Sequence, residues 1–219
     1  MRIVSGNDIQ NALTYRALID ALADAFRADF AVPVRHHHTI PTAGADATLL
    51  LMPAWKEDGE RYLGCKIVTV FPDNAKVQRA SVHGQYLLLS GETGEPLAIM
   101  PDGVMQRVRV ASTNGIAMKY MARADASEVA IIGSGWQAGT LLAAAASQRN
   151  VERIRCWSPT RENRERFSAV ESEALGIPVE PMDTPEAAIS GAHIVICATS
   201  AIDPVFMESW LEPGVHIST

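Results

Sequence analysis

Residues 128–139 read Glu-Val-Ala-Ile-Ile-Gly-Ser-Gly-Trp-Gln-Ala-Gly, an apolar run that is broken by two glycines and followed by an alanine-rich stretch. The pattern predicts a strand, a tight turn and a helix, the opening of a dinucleotide-binding βαβ unit. The first glycine permits the turn, the second lets the backbone approach a pyrophosphate, and a small alanine lets helix and strand pack closely. The predicted cofactor-binding residues of this loop are Gly133, Ser134, Gly135, Trp136, Gln137 and Ala138. The alternative is an ordinary glycine-rich turn that binds nothing.

The end of the next predicted strand indicates which dinucleotide is bound. An NAD-type fold places Asp or Glu about 20 residues beyond the glycines, where the carboxylate binds the ribose 2′-hydroxyl. This chain has Ser158, Thr160 and Arg161 there. Two hydroxyls and a guanidinium suit a 2′-phosphate, so the sequence favours NADP(H) over NAD(H). Arg161 fits equally well a solvated residue in the first turn of the following helix.

Composition excludes several classes of partner. Lys and Arg total 19, Asp and Glu total 25, and the formal net charge is -6 at pH 7. No basic cluster is long enough to follow a nucleic acid or to bind an anionic membrane, so we expect neither partner. No apolar run approaches about 18 residues, and the N-terminus lacks the apolar region of a signal peptide. We therefore expect a soluble, cytoplasmic protein.

The cysteines and histidines predict no metal site. Cys65, Cys156 and Cys197 are widely spaced and lie in or beside apolar runs, which is typical of reduced core residues. Three adjacent histidines, residues 36–38, point to alternating faces of an extended chain and cannot all reach one ion. We interpret them as surface or site-lining residues.

Residues 1–124 are predicted to form an α+β domain. Ser5 with Asp8 predicts a capping box, and residues 5–30 form an amphipathic helical region. Residues 39–100 contain strand-like runs separated by turn-rich segments, which predict a mostly antiparallel sheet.

Residues 125–219 are predicted to form an α/β domain of the Rossmann type, with a doubly wound parallel sheet. A long helix, Asp102–Met121, and a short link precede it. Strands at residues 153–157 and 194–198 alternate with helices at residues 161–175 and 185–189. We also assign Ala198 and Thr199, at the end of the last of these strands, to cofactor binding.

The last residues read Glu-Pro-Gly-Val-His-Ile-Ser-Thr, a turn that leads into a new strand. A sheet that stops there leaves an unpaired edge unless a partner covers it. The sequence-based expectation is a fragment or a truncated protein.

A series of short motifs runs in order through nearly the whole chain. They are Pro33-Val-Arg35, Leu51-Met-Pro-Ala54, Gly64-Cys-Lys-Ile-Val68, Phe71-Pro-Asp-Asn74, Gly91-Glu-Thr-Gly-Glu-Pro-Leu-Ala98, Arg109 followed by Lys119-Tyr-Met-Ala-Arg123, and the glycine loop. In these motifs the chain resembles the ornithine cyclodeaminase and mu-crystallin family. The ordered set is far more specific than the glycine loop alone.

The resemblance implies a role for each domain and for four residues. The first domain would bind the substrate and join its sheet to that of a partner to form a homodimer, and the second would hold the cofactor. Arg35 and Arg109 look like the arginines that grip the substrate carboxylate, and Lys66 looks like the lysine beside it, which adds charge or moves a proton. Ser81 falls where the family often has a hydroxyl that contacts the substrate or nicotinamide. Taken alone, Arg109 also fits an exposed helix face, Arg35 a loop charge and Lys66 a lysine that snorkels to water.

The chain departs from the family pattern in two places. Val110 stands where many members have threonine after the arginine. Family members also continue for roughly another hundred residues, and that segment includes an aspartate which exchanges protons with the substrate amine in cyclodeaminases. We therefore expect the C-terminal third to be missing and catalysis by this chain alone to be doubtful.

Three functions are compatible with this resemblance. The favoured one is an NAD(P)-dependent oxidoreductase that reduces a cyclic imine or interconverts an amino acid and its oxo acid. The second is ornithine cyclodeaminase proper, which uses bound NAD to convert ornithine to proline and ammonia. The third is a non-catalytic ligand-binding protein.

Overall fold

The computed structural model describes residues 1–59 and 61–219. The chain divides into two compact units, the first made of Met1–Thr14 and Ala23–Arg107 and the second of Tyr15–Leu22 and Val108–Thr219. The boundary expected after residue 124, between a substrate-binding and a cofactor-binding domain, stays a prediction. No helix in the described part of the chain is long and apolar enough to cross a membrane.

The first half of the chain contributes seven strands, three α-helices and one short 3-10 helix, Pro72–Val77, within the described residues. These are β1 (Arg2–Ile3), α1 (Gly6–Ala12), α2 (Tyr15–Ala25), β2 (Phe30–Ala31), β3 (His36–Ile40), β4 (Ala47–Lys56), β5 (Tyr62–Val70), β6 (Val82–Ser90), β7 (Pro96–Pro101) and α3 (Asp102–Met121). The strands form one sheet in the order β1-β7-β6-β5-β4-β2, with β3 also paired to β4. All of its pairs are antiparallel except that of β1 with β7. The predicted mostly antiparallel sheet is therefore confirmed.

The capping box marks the first helix as predicted, but the helical region predicted over residues 5–30 consists of two helices, of which the second ends at Ala25. The capping box is present, because the Ser5 hydroxyl accepts a hydrogen bond from the Asp8 amide and the Asp8 carboxylate accepts one from the Ser5 amide. Phe30, assigned to the helical region, lies instead in β2 opposite Lys56. The histidines precede the predicted start of the sheet, yet they form β3, because pairing with the apolar strand β4 outweighs their weak strand propensity.

The first unit has a thin apolar core. Few of its described apolar residues are buried, and three of the five are alanines. They are Ile9, Ala23, Ala47, Val68 and Ala98. Every residue of β4 after Ala47 is half-buried, so this strand lacks the usual alternation of buried and exposed positions. Much apolar surface of this sheet is therefore only partly covered.

The second unit is a parallel sheet with helices on both faces. Its elements after α3 are β8 (Glu128–Ile132), α4 (Ala138–Gln148), β9 (Arg153–Trp157), α5 (Arg161–Leu175), β10 (Val179–Pro181), α6 (Pro185–Ile189), β11 (Ile194–Cys197) and β12 (His216–Ser218). The strand order is β10-β9-β8-β11-β12, and every pair is parallel. This is the 3-2-1-4-5 arrangement of a Rossmann fold, whose order reverses between β8 and β11. The predicted fold class is confirmed.

The two faces of this sheet have separate apolar clusters. Val129, Ile131 and Ile154 pack against α4 and the C-terminal part of α3. Ala130 and Val195 pack on the opposite face, where α6 covers them. The strands are thus buried on both sides, which explains their nearly continuous apolar sequences.

One arginine closes the C-terminus of α3. Arg149, directly after α4, donates through Nη2 to the carbonyls of Met118 and Ala122, each at 2.6 Å, and through Nε to the carbonyl of Arg123 at 3.0 Å. The last carbonyls of a helix have no partner within the helix, and a cation there is favoured by the helix dipole. Arg149 satisfies both requirements.

Candidate functional site

The glycine loop lies at the point where the strand order of the parallel sheet reverses. Gly133 follows β8 with φ 110°, a conformation that side chains rarely adopt. A Cβ on this residue would overlap the backbone carbonyl of Ala198, just after β11. Only glycine fits this turn, and dinucleotides bind in the crevice at such a reversal.

The rest of the loop leaves room for a ligand on one side and packs tightly on the other. Gly135 is exposed, and an added Cβ would meet no atom within 4 Å. Ala138 begins α4 and is fully buried, and a Cβ on the next residue, Gly139, would overlap the carboxylate of Glu171 in α5. The open side, together with the amides at the start of α4, fits the pyrophosphate of a dinucleotide.

Two further loop residues have side chains near this opening. Trp136 is 62% exposed. Gln137 donates a hydrogen bond to Thr140 at 3.0 Å within the first turn of α4. Thr199 is exposed and accepts a hydrogen bond from the amide of Ala201, so its loop is also locally ordered.

The end of β9 carries the residues predicted to distinguish the two cofactors. The Ser134 hydroxyl donates to the buried Ser158 hydroxyl at 2.9 Å, which links the glycine loop to β9. Thr160 precedes α5 without a side-chain capping bond. Arg161 is largely exposed and pairs with Glu165 at 2.7 Å. This neighbour raises the pKa of the Arg161 guanidinium above its usual value.

A buried arginine supports the same corner from behind. Arg164 donates to the carbonyl of Ser158 at 3.2 Å and to Asp183, beyond β10, at 2.7 Å. It therefore fixes the ends of two neighbouring strands. Neither Arg164 nor Gly139 was singled out from the sequence, because their partners are remote and only the fold brings them into contact.

Lys66 of β5 is held by two residues of α3. Its ammonium lies 3.0 Å from the Asp102 carboxylate and donates a hydrogen bond to the Gln106 side-chain carbonyl. Asp102 is 7% exposed and lies over Gly84 of β6. A Cβ added to Gly84 would lie only 2.7 Å from the Cβ of Asp102. Asp102 and Gln106 were missed from the sequence, although their spacing of four residues and the lone strand glycine were available signals.

The other predicted substrate residues of the first unit are less enclosed. Arg35 is exposed directly before β3. Ser81 is half-buried just before β6, its carbonyl accepts from the Phe71 amide at 2.8 Å, and its hydroxyl lies 3.5 Å from the Pro72 carbonyl.

Arg109 lies on α3 within the second unit. It is exposed and lines a cavity of about 380 Å³ whose other lining residues include Thr113 and Asn114 of α3 and the last residues of the chain, Ile217–Thr219. The side-chain oxygen of Asn114 is buried without a partner. The cavity offers the guanidinium of Arg109 to a polar ligand.

The cysteines and histidines were interpreted from the sequence as residues that bind no metal. The described residues contain no group of three or more His, Cys, Asp or Glu side chains that could hold a metal ion. All three cysteines are free thiols. Burial raises the pKa of the Cys156 thiol to about 12, so this residue is unreactive at neutral pH.

Comparison with known proteins gives relatives that extend along the whole chain. The Δ1-pyrroline-2-carboxylate reductase of Bacillus thuringiensis is 33% identical over 222 residues, which cover 100% of this chain and 67% of that protein. The structure of the Thermococcus litoralis Δ1-pyrroline-2-carboxylate reductase with NADH and L-proline matches with a TM-score of 0.86 and 31% identity, over 99% of this chain and 68% of that one. An archaeal alanine dehydrogenase dimer with bound NAD matches with a TM-score of 0.85 and 26% identity, over 98% of this chain and 65% of that one.

The Rossmann sheet, the glycine loop at its reversal and these reductase relatives define a Rossmann-type oxidoreductase. The model of one family matches residues 2–219. The chain belongs to the ornithine cyclodeaminase/mu-crystallin family, as its motifs predicted.

Proposed function

We propose that this chain carries the substrate and cofactor sites of an NAD(P)-dependent imine reductase. The substrate would be a cyclic imine bearing a carboxylate, such as Δ1-pyrroline-2-carboxylate. The observation that carries the proposal is the 33% identity, over the full length of this chain, to a reductase of that name. The glycine loop, with its open side at Gly135, supports the binding of a nicotinamide cofactor, which supplies the hydride.

We assign the substrate-binding roles to the four residues that the family resemblance indicated. Arg35 and Arg109 would bind the carboxylate, since a guanidinium forms two parallel hydrogen bonds with it and fixes the reacting carbon. Lys66 would donate a hydrogen bond to the substrate or move a proton. Ser81 would add a hydroxyl contact.

NADP(H) is the proposed cofactor, in preference to NAD(H). Ser158, Thr160 and Arg161 stand at the end of β9, where the 2′ position of the ribose is recognised. Among the described residues, Arg161 forms an ion pair with Glu165 at an exposed position, where such pairs contribute little. A phosphate would displace this carboxylate readily.

Arg161→Ala should weaken NADPH binding by about 1–3 kcal/mol, the range for a hydrogen bond to a charged group, and leave NADH affinity nearly unchanged. Titration calorimetry with both cofactors measures the two affinities. Glu165→Gln, which frees the guanidinium, should instead strengthen NADPH binding slightly. Equal losses for NADPH and NADH in Arg161→Ala would refute the assignment to the 2′-phosphate.

Arg109→Ala should raise the KM for Δ1-pyrroline-2-carboxylate about 100-fold, which corresponds to ~2.7 kcal/mol for a lost charge-assisted contact. NADPH affinity should stay within about twofold, since the ligand of Arg109 is the substrate. Arg123→Ala is the matched control, because Arg123 is exposed and its side chain forms an ion pair with nearby Asp125. Unchanged kinetics in Arg109→Ala would remove this residue from the site.

The proposed activity is tested by NADPH oxidation with Δ1-pyrroline-2-carboxylate, after titration of the chain with NADPH and NADH. Consumption of NADPH only in the presence of the imine supports the proposal. Release of ammonia from ornithine without net cofactor consumption would identify a cyclodeaminase instead. Ligand binding without either reaction would indicate the non-catalytic alternative.

The proposal includes an assembly and a division of labour. Residues 1–124 would bind the substrate and form a homodimer, residues 125–219 would bind the cofactor, and the protein would act in the cytoplasm. The half-buried strand β4 supports the dimer, because its apolar residues are only partly covered within one chain.

A further inference from the structure

The ammonium of Lys66 is fixed by two acceptors from a single helix. Asp102 and Gln106 are four residues apart at the start of α3, so they project from the same side of the helix. Both contact Nζ, the first as an ion pair at 3.0 Å and the second as a hydrogen-bond acceptor. The side chains of Lys66 and Asp102 are only 17% and 9% exposed, so the pair is largely withdrawn from water.

The number of donors on an ammonium group makes this arrangement selective. Lysine has three N–H donors and no acceptor. Asp102 and Gln106 engage two of them, and the described residues provide no third acceptor for Nζ. One N–H is thus left for a ligand, and its direction is set by the other two.

The ion pair also changes what Lys66 can contribute. Asp102 offsets the charge of the ammonium, so the pair attracts a substrate carboxylate less than a lone lysine would. A guanidinium is better suited to hold that carboxylate, because it offers two parallel hydrogen bonds. Lys66 is better suited to present one aimed hydrogen bond.

We propose that Asp102 and Gln106 are positioning residues, which hold Lys66 so that its third N–H points at the reacting part of the substrate. The inference rests on the proposed function, because it assigns Lys66 to the substrate site. The close approach of Asp102 to Gly84 supports it, since the strand must lack a side chain there for the carboxylate to reach the lysine. The sheet is thus shaped to accommodate the acid.

The first test measures the chemical reactivity of Lys66 and needs no turnover. The chain is treated with trace acetic anhydride, and acetylation of each lysine is followed by peptide mass spectrometry. Asp102→Asn removes the negative charge of the ion pair, Gln106→Met removes a hydrogen-bond acceptor, and both nearly conserve side-chain size. Acetylation of Lys66 should rise about tenfold, the factor that corresponds to ~1.4 kcal/mol and lies near the range for one hydrogen bond to a charged group.

Two internal controls separate positioning from a general loosening of the sheet. Lys56 of β4 has a 28% exposed side chain in the same sheet, and its acetylation should not change. Gln10→Met repeats the glutamine substitution at an exposed position of α1 and should leave Lys66 unaffected. Unchanged acetylation of Lys66 in both Asp102→Asn and Gln106→Met, or an equal rise at Lys56, would overturn the proposal.

The second test asks whether Lys66, as held by Asp102 and Gln106, contacts the substrate. Δ1-Pyrroline-2-carboxylate with NADPH should protect Lys66 of the unmodified chain from acetylation. In steady-state kinetics, Gln106→Met should lower kcat about tenfold with little change in KM, because a poorly oriented Lys66 slows the reaction more than it weakens substrate binding. If the acetylation of Lys66 changes in the Asp102 and Gln106 variants but not when ligand is added, the positioning role is overturned. Absence of turnover in the unmodified chain, with protection of Lys66 retained, would count against the proposed reductase alone.

Discussion

Gly133→Ala is expected to abolish dinucleotide binding and to lower the free energy of unfolding of the second unit by about 3–5 kcal/mol. The residue has φ 110°, where a side chain is strained, and the added Cβ would overlap the carbonyl of Ala198. That overlap is with backbone rather than with a flexible side chain, so β8 or the loop after β11 must move. Urea unfolding and NADPH titration measure the two effects.

Gly135→Ala is the matched control two residues away. It introduces the same methyl group where no atom lies within 4 Å, so stability should change by less than about 0.5 kcal/mol. NADPH binding should nevertheless weaken, because the methyl group stands where the pyrophosphate approaches the backbone. Equal stability of the Gly133 and Gly135 variants would contradict the assigned turn geometry, and full NADPH affinity in Gly135→Ala would contradict the assigned phosphate site.

Arg149→Ala should lower the free energy of unfolding by about 3 kcal/mol. The substitution removes a guanidinium that serves the carbonyls of Met118 and Ala122 at 2.6 Å each, and hydrogen bonds to charged groups contribute about 1.5–3 kcal/mol. Arg149→Lys should recover only part of the loss, because an ammonium cannot reproduce the planar fork. Thermal or urea unfolding followed by circular dichroism measures the change.

Arg166→Ala is the control for the loss of an arginine as such. Arg166 is exposed on α5, and its one hydrogen bond among the described residues is to the nearby Asn163, so its removal should change stability by less than about 0.5 kcal/mol. Similar values for Arg149→Ala and Arg166→Ala would show that the helix terminus does not need its cap.

Signals that lie within one segment allowed much of the fold to be predicted. The helices Asp102–Met121, Arg161–Leu175 and Pro185–Ile189 have the predicted bounds. Their ends are marked locally, for example by Thr184, whose hydroxyl accepts a hydrogen bond from the Ala187 amide. The Rossmann order followed from the alternation of strands and helices.

Features that depend on remote partners could not be predicted in the same way. The strand β10 was missed because three residues ending in proline carry little strand signal, and β9 supplies its pairing. The Lys66–Asp102 pair joins residues 36 positions apart in sequence, and Arg164 reaches Asp183 across the end of the sheet. The assignments of Arg35, Ser81 and Arg109 to a substrate site remain predictions, since they come from the family resemblance.

The buried thiol of Cys156 can serve as a probe of local unfolding in the parallel sheet of the second unit. Cys156 lies near the end of β9, two residues before Ser158, and its pKa of about 12 keeps it protonated and unreactive while the strand is in place. A thiol reagent can modify it only in molecules whose sheet has transiently separated, so the alkylation rate at this one residue reads out the equilibrium of local unfolding. Any ligand that binds at the end of β9 would slow that rate in proportion to its occupancy, without a dye, a tag or a catalytic assay.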